Sequence, residues 1–211
     1  MLVLGEALIL EGMEVRLRPL TASDADSLAV AASESRQSYR FNPVPDGPSE
    51  AREWIALALV QRGEGERYPF AVEWRGRLVG STSYWGLQPW LWPANCALQR
   101  DGRPDAVEIG STWLAASAQR TRCNTEAKYL LLVHAFGVWQ VHRVSLRTDE
   151  RNARSRRAIE RLGAKFDGVL RADMPGNDCS VRNSAYYSIL RSEWPEVKQA
   201  LELRLATSTG V

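Results

Sequence analysis

Several chemistries are excluded by what the sequence has little of. Three cysteines occur in 211 residues, Cys96, Cys123 and Cys179, far apart and without a CxxC pair. An odd, scattered set fits neither a disulfide framework nor a zinc site, so they read as free thiols. Histidine is rarer still. His134 falls on an apolar helix face, where a core histidine with its hydrogen bonds met is expected, and His142 opens a strand with no partner at metal-ligand spacing. No metal is therefore expected. No apolar run approaches the roughly 20 residues that cross a bilayer. The opening MLVLGEALIL has neither a basic leader nor a small-residue cleavage site, which predicts a cytoplasmic protein with no membrane partner.

The formal charge is only +2, too small to imply a nucleic-acid partner, and the arginines do not interleave with aromatics in a recognisable motif. Lysine is scarce: Lys128, Lys165 and Lys198 stand against twenty-four arginines. Arginine suits bidentate phosphate or carboxylate contacts, although a GC-rich codon bias is the plainer account of the excess. What is present is 45% hydrophobic and 25% charged residues, enough for one buried core. With no repeat and no low-complexity segment, residues 1–211 read as a single domain.

Val15 to Arg18 alternates apolar and charged residues and predicts a strand, and Thr21-Ala22-Ser23-Asp24 opens an alanine-rich helix to about Glu34. After the stiff Pro43–Pro48 connection, Ser49-Glu50 caps a helix carrying Trp54, Ile55, Ala58 and Leu59 at helical spacing. Tyr68 to Trp74 and Leu78 to Trp85 form a hairpin about Arg75-Gly76-Arg77. From about 86 to 104 no period holds, and a long inserted loop bearing Trp90 and Trp92 is expected. It could cover an acceptor, pack against a second copy in a homodimer, or cap the core.

Val107 to Leu114 predicts a strand, Asn124 to about Val138 a helix on an Ala127, Leu130, Leu131, His134, Val138 stripe, and His142 to Thr148 a strand: one βαβ unit. A short helix from Ala153 to Leu162, strands near Phe166 to Leu170 and Ala185 to Leu190, and a helix from Glu193 to Leu205 complete the chain. Hairpins on both sides of one parallel crossover demand a mixed sheet.

The strand from Val107 runs through a polar turn directly into a helix. Backbone amides at a helix start are unpaired and carry the positive end of the dipole, so they can hold a pyrophosphate without a metal. The candidates are Gln119, Arg120, Thr121, Arg122, Cys123, Asn124 and Thr125; the plainer alternative is an ordinary turn capped by Asn124. Asn152, Ser155, Ile159 and Leu162 share one face of the short helix. Asn152 could also simply cap that helix.

These residues carry a resemblance. Val107 to Leu132 is similar to the acetyl-CoA-binding core of GNAT N-acetyltransferases. TDERNARSRRAIERLGA, from Thr148, is a second matching block at the right separation, and YYSILRSEWP a third. The resemblance runs from Val15 to about Leu205 and follows the branch similar to ribosomal-protein-alanine N-acetyltransferases. It implies an α/β fold of α+β type: a mixed central β-sheet of about seven strands flanked by helices around a central βαβ acetyl-CoA unit.

It further implies an acyltransferase with acetyl-CoA as cosubstrate and a primary amine as acceptor, such as a protein N-terminal α-amine. A small-molecule or antibiotic amine is the alternative acceptor, and a GNAT-like protein that holds CoA without turnover is the alternative class. Acceptor contacts would come from Tyr39 to Gly47 and Met174 to Asn183. The cofactor would lie along Trp113 and Leu114, the loop Gln119 to Thr125, and Asn152 and Ser155. Arg151, Arg154, Arg156, Arg157 and Arg161 surround the short helix as a charge cluster, for which a solvated face is the plainer reading, although one or two could reach the CoA 3′-phosphate. Family members usually carry Q/R-x-x-G-x-G/A in that loop. Here Arg122 and Asn124 replace both small residues, where glycine would let backbone approach phosphate closely. An arginine pointing outward could instead add a charge contact.

Amine acetylation needs a proton acceptor, a polarised carbonyl and a proton or hydrogen bond for the leaving thiolate. Glu108 alternates away from Val107 and Ile109 and is the candidate base, with an ion-paired carboxylate as its alternative role. Asp173 ranks second. Ser155 is the candidate donor to the sulfur, since the short helix has no tyrosine. A backbone amide between Gly110 and Leu114 would polarise the carbonyl. Cys123 sits in the phosphate loop, away from any base, which favours direct attack over an acyl-enzyme.

Overall fold

A computed structural model describes residues 8–99 and 102–207. The alternation at Val15–Pro19 is a strand, β2, with Val15 and Leu17 buried and Arg16 exposed. Ahead of it lies β1, Leu10–Glu11, too short to show any period. The expected first helix is divided into a single turn at Ala22–Asp24 and α1, Ala25–Ser33. Asp24 is the reason: its carboxylate accepts from the Thr21 amide at 2.8 Å and from Arg18 at 2.7 and 2.9 Å, and this tightens the first turn. Then follow α2 (Gly47–Gly63, with Pro48 in its first turn), β3 (Arg67–Trp74) and β4 (Arg77–Gln88). β4 claims the start of the expected loop, which spans 89–105.

Next come β5 (Ala106–Leu114), α3 (Cys123–Val133), β6 (Arg143–Asp149) and α4 (Ala153–Glu160). β7 (Lys165–Pro175), β8 (Val181–Leu190) and α5 (Trp194–Thr207) end the described chain. α3 stops five residues short of Val138 and continues as a wider π-helical turn, His134–Trp139. That turn swings Phe136 and Trp139 into the core and leaves Val138 exposed, which corrects the expected stripe. The last hairpin is longer than expected. Much of Met174 to Asn183 is strand rather than loop, because an exposed antiparallel ribbon pairs by backbone hydrogen bonds without an apolar alternation to announce it. No helix among the described residues is long and apolar enough to cross a membrane.

Among the described residues eight strands form one sheet in the order β1-β2-β3-β4-β5-β6-β8-β7, one more strand than the seven or so expected. Every neighbouring pair is antiparallel except β5 and β6, joined through α3. α3 covers one face, where the Tyr84 hydroxyl donates to the Leu131 carbonyl at 2.6 Å. α1 and α2 cover the other. Tyr68, Phe70, Tyr84, Leu131 and Ile189 are among the largest fully buried side chains, each contributing about 1.5–3 kcal/mol by burial.

Two breaks in the ladder shape the site. β5 and β6 pair only from Ala106–Arg143 to Glu108–Ser145 and then part, while β5 stays on β4 and β6 stays on β8. The sheet thus opens as a V with Glu108 at its apex. β5 also carries one extra residue opposite β4, between Gly110 and Trp113. Ser111 takes it up with φ +48°, a bulge that reverses which face the following side chains meet.

Candidate active site

Glu108 faces α1 and α2, paired across the sheet with Trp85 of β4 and Ser145 of β6. Its carboxylate accepts from Arg147 Nε at 3.1 Å. The same guanidinium reaches Asp173 at 3.3 Å and the Tyr186 hydroxyl at 3.1 Å, and that hydroxyl lies 3.3 Å from Asp173. Glu108 and Asp173 thus share one arginine. Burial raises the pKa of Glu108, against the opposing pull of Arg147. The Glu108 carboxylate lies alongside Gly110, where an added Cβ would meet Glu108 Oε1 at 2.9 Å and the edge of Trp85 at 3.2 Å. A side chain at 110 would crowd the carboxylate.

Asp173 reaches this cluster through a second irregularity. Between Leu170 and Met174, β7 bulges against β8, with Ala172 at φ +52° and its amide held by the Asn183 side chain at 2.9 Å. The bulge turns Asp173 inward, where its side chain is 8% exposed. Arg147 and Tyr186 went unread in the sequence, being remote from every motif.

Beyond the apex, Trp113 and Leu114 are buried at the end of β5. Trp113 meets Tyr39 edge to face, with centroids 5.9 Å apart. The Leu114 carbonyl accepts from the Tyr39 hydroxyl at 3.0 Å and from Gln119 Nε2 at 2.7 Å. Gln119 also binds Ser38 Oγ and accepts from Arg154 of α4 at 3.1 Å. Asn42 Nδ2 donates to the Thr112 carbonyl at 3.5 Å, and the Asn177 side chain donates to the Asn42 carbonyl at 3.4 Å. The segment from Ser38 to Asn42 therefore crosses the open end of the V, touching β5, α4 and the β7–β8 turn.

The loop into α3 turns on Arg120, at φ +60°. Thr121 Oγ1 donates to the Ala118 carbonyl and accepts from the Cys123 amide at 3.1 Å. The amides of Arg120, Thr121, Arg122, Asn124 and Thr125 have no acceptor among the described residues, leaving donors grouped at the positive end of a helix. That donor set suits an anion. The helix begins at Cys123, one residue earlier than expected, with Arg122 as its cap. The Arg122 side chain does not point outward. It lies 9% exposed against Glu14 and Glu126, at 3.7 and 3.8 Å, so only its backbone faces the loop. Glu126 in turn accepts the Glu14 amide at 2.9 Å, tying β2 to the start of α3. Burial pushes the Cys123 thiol up to about 12, which leaves it without thiolate reactivity near neutral pH.

At α4, Asn152 Oδ1 accepts the Ser155 amide at 3.0 Å, a true N-cap. The Ser155 side chain makes no hydrogen bond among the described residues. Of the arginines round this helix, Arg151 is committed to Asp149 and Asp178, and Arg156 to Tyr187. Arg154 reaches Gln119, at the start of the loop into α3.

Lys128 escaped notice in the sequence because a charged residue is expected in solvent. It is buried on the α3 face, donating to Thr82 Oγ1 at 3.2 Å and to Thr112 Oγ1 at 2.5 Å. Burial lowers its pKa to about 7. His134 also departs from expectation: it packs between Tyr84 and Trp139 in the core, but its Nε2 is buried without a partner. The Trp90 and Trp92 loop folds onto the start of β6. Trp90 stacks on His142 with centroids 5.4 Å apart, and Asp105 accepts from the Trp90 amide and the Trp92 indole.

The acetyltransferase (GNAT) domain family matches residues 14–165. Among solved structures, a GCN5-related N-acetyltransferase from Brucella melitensis is 31% identical, with a TM-score of 0.77 over 94% of this chain and 86% of that one. RimJ of Mycobacterium smegmatis, solved in complex with CoA-disulfide, shares the fold at 20% identity, with a TM-score of 0.72 over 95% and 93% of the two chains. The ribosomal L7/L12 α-N-protein acetyltransferase RimL shares it at 16% identity and a TM-score of 0.71, over 87% and 94%. No curated protein matches the chain. The family match, together with the parted β5–β6 pair and the donor-rich start of α3, establishes that the chain belongs to the GNAT family and is an acetyl-CoA-dependent acyltransferase.

Proposed function

We propose that residues 1–211 act as one N-acetyltransferase domain that moves acetyl from acetyl-CoA directly to a primary amine, with a protein N-terminal α-amine as acceptor. The carrying observation is the V between β5 and β6, with a partly buried, arginine-held carboxylate at its apex and unpaired helix-start amides at its open end. Two oppositely directed approaches, acceptor from the α1–α2 face and acetyl-CoA from the α3 start, would meet at Gly110.

In this reading the amides of Arg120 to Thr125 take the pyrophosphate, and Arg154 adds charge. The stretch of β5 that has parted from β6, Gly110 to Leu114, holds the thioester, and a backbone amide there polarises its carbonyl. Glu108 accepts the ammonium proton, directly or through one water, and its raised pKa makes it the stronger base. Arg147 keeps that carboxylate oriented, and its tie to Asp173 and Tyr186 provides a route for the proton to leave. The Ser155 hydroxyl donates a hydrogen bond to the departing sulfur. The α-amine acceptor is favoured by the likeness in fold to RimL, a ribosomal L7/L12 α-N-protein acetyltransferase.

Turnover tests the reading. Release of free CoA thiol is followed with peptides of varied N-terminal residue and with small-molecule amines. Peptide turnover that falls about a hundredfold or more in Glu108→Gln supports it, within the range for loss of a general base. Tight CoA binding with no thiol released on any acceptor would leave a CoA-holding protein without turnover, and preference for small amines would move the acceptor class.

A further inference from the structure

Lys128 has no role in the chemistry above, yet it is a buried charge whose position is hard to justify by stability. Its ammonium is fully enclosed between α3, β4 and β5, and its hydrogen-bond partners are neutral hydroxyls. No carboxylate lies within ion-pair range of it among the described residues. Glu108 exerts an opposing pull from beyond that range, but desolvation outweighs it, so enclosing the ammonium costs several kcal/mol. A methionine of similar length would fill the space without that cost.

The partners say what the charge provides. Thr82 stands between Ser81 and Ser83, where the β4–β5 register shifts, and Thr112 directly follows Ser111, the bulged residue. The two hydroxyls also bond each other at 2.8 Å. Three donors and acceptors thus close a triangle across the bulge from beneath. A bulge interrupts the ladder, and without that triangle β5 could relax towards regular pairing with β4. Such relaxation would rotate the backbone groups of Gly110 to Leu114, the stretch that has left β6.

We infer that Lys128 is a positioning residue that locks the β5 bulge through Thr82 and Thr112 so that the strand's free edge meets the thioester carbonyl. This rests on the proposed reading of β5 as the thioester-binding strand. The residue touches neither substrate, so its removal is expected to affect recognition of the acetyl group and not of the rest of CoA.

The test compares full-length wild type with Lys128→Met, Thr112→Val and Thr112→Ser. Calorimetry without acceptor measures affinity for acetyl-CoA and for CoA separately. The wild type is expected to favour acetyl-CoA; in Lys128→Met and Thr112→Val that preference disappears, CoA affinity stays within about twofold, and kcat falls about tenfold, less than loss of a whole oxyanion donor. Thr112→Ser, which keeps the hydroxyl, retains both. Thermal stability of Lys128→Met is unchanged or higher. A wild type without the preference, a preference that survives in Lys128→Met, or equal losses for CoA and acetyl-CoA with a lowered melting temperature would each overturn the inference. Because the affinity ratio needs no acceptor, it is read even if no amine turns over, and absent turnover would count against the proposed function alone.

Discussion

Enclosing Lys128 makes a quantitative prediction about stability against pH. The ammonium titrates at 10.5 in the unfolded chain and at about 7 in the fold, so between these values the unfolded state binds more protons than the folded one. Stability must therefore rise with pH, and the contribution present above the unfolded pKa is progressively lost as pH falls through 7. Integrating the linkage from pH 7 to 9 gives a gain of about 2 kcal/mol from this one side chain. Urea denaturation at pH 7, 8 and 9 measures it, with Lys128→Met as the reference. Cys123, pushed up to about 12, pulls in the opposite direction near pH 9, but it is common to both proteins and cancels in the difference. The wild type should gain about 2 kcal/mol relative to Lys128→Met across this range, with the variant more stable at pH 7. Parallel curves would mean that Lys128 keeps an ordinary pKa, and that the fold does not desolvate it.

Other expectations follow from the same geometry. Burial raises the Glu108 pKa, so kcat/KM should climb with pH through a midpoint above the ordinary carboxylate range, and Glu108→Gln should lose that limb in a steady-state pH profile. Glu126→Ala removes the acceptor for the Glu14 and Val15 amides and the counter-charge of Arg122; chemical denaturation should show a loss of about 2–4 kcal/mol. Asn152→Ala removes the cap on the Ser155 amide and should cost about 1 kcal/mol by the same assay. Arg122→Gln should weaken stability while leaving the salt dependence of CoA binding unchanged in calorimetry, since the side chain is held by Glu14 and Glu126 rather than aimed at a phosphate.

The parts of this molecule that were legible in the sequence are those built on an uninterrupted period. Val15–Pro19 and the body of α3 carry a repeat of two or 3.6, β3 and β4 are β-rich runs on either side of a glycine turn, and local pattern located all four to within a few residues. The GNAT resemblance and the candidacy of Glu108 rested on the same stretch. What was hidden sits where the period breaks. Counting by twos from Glu108 puts Thr112 on the α1–α2 face, but the extra residue at Ser111 turns it over to meet Lys128. Counting along β7 likewise misses that the bulge at Ala172 aims Asp173 at Arg147. A bulge adds one residue to a ladder and reverses every side chain after it, and nothing in composition marks where that happens. Lys128 compounds the effect: a lysine is assigned to solvent unless a partner is foreseen, and its partner was on the wrong face until the bulge was seen. One bulge brings Asp173 to the arginine-held cluster at the apex of the V, and the other turns Thr112 to Lys128 behind the strand that leaves it, so in this chain the failures of periodicity gather around the site for one physical reason.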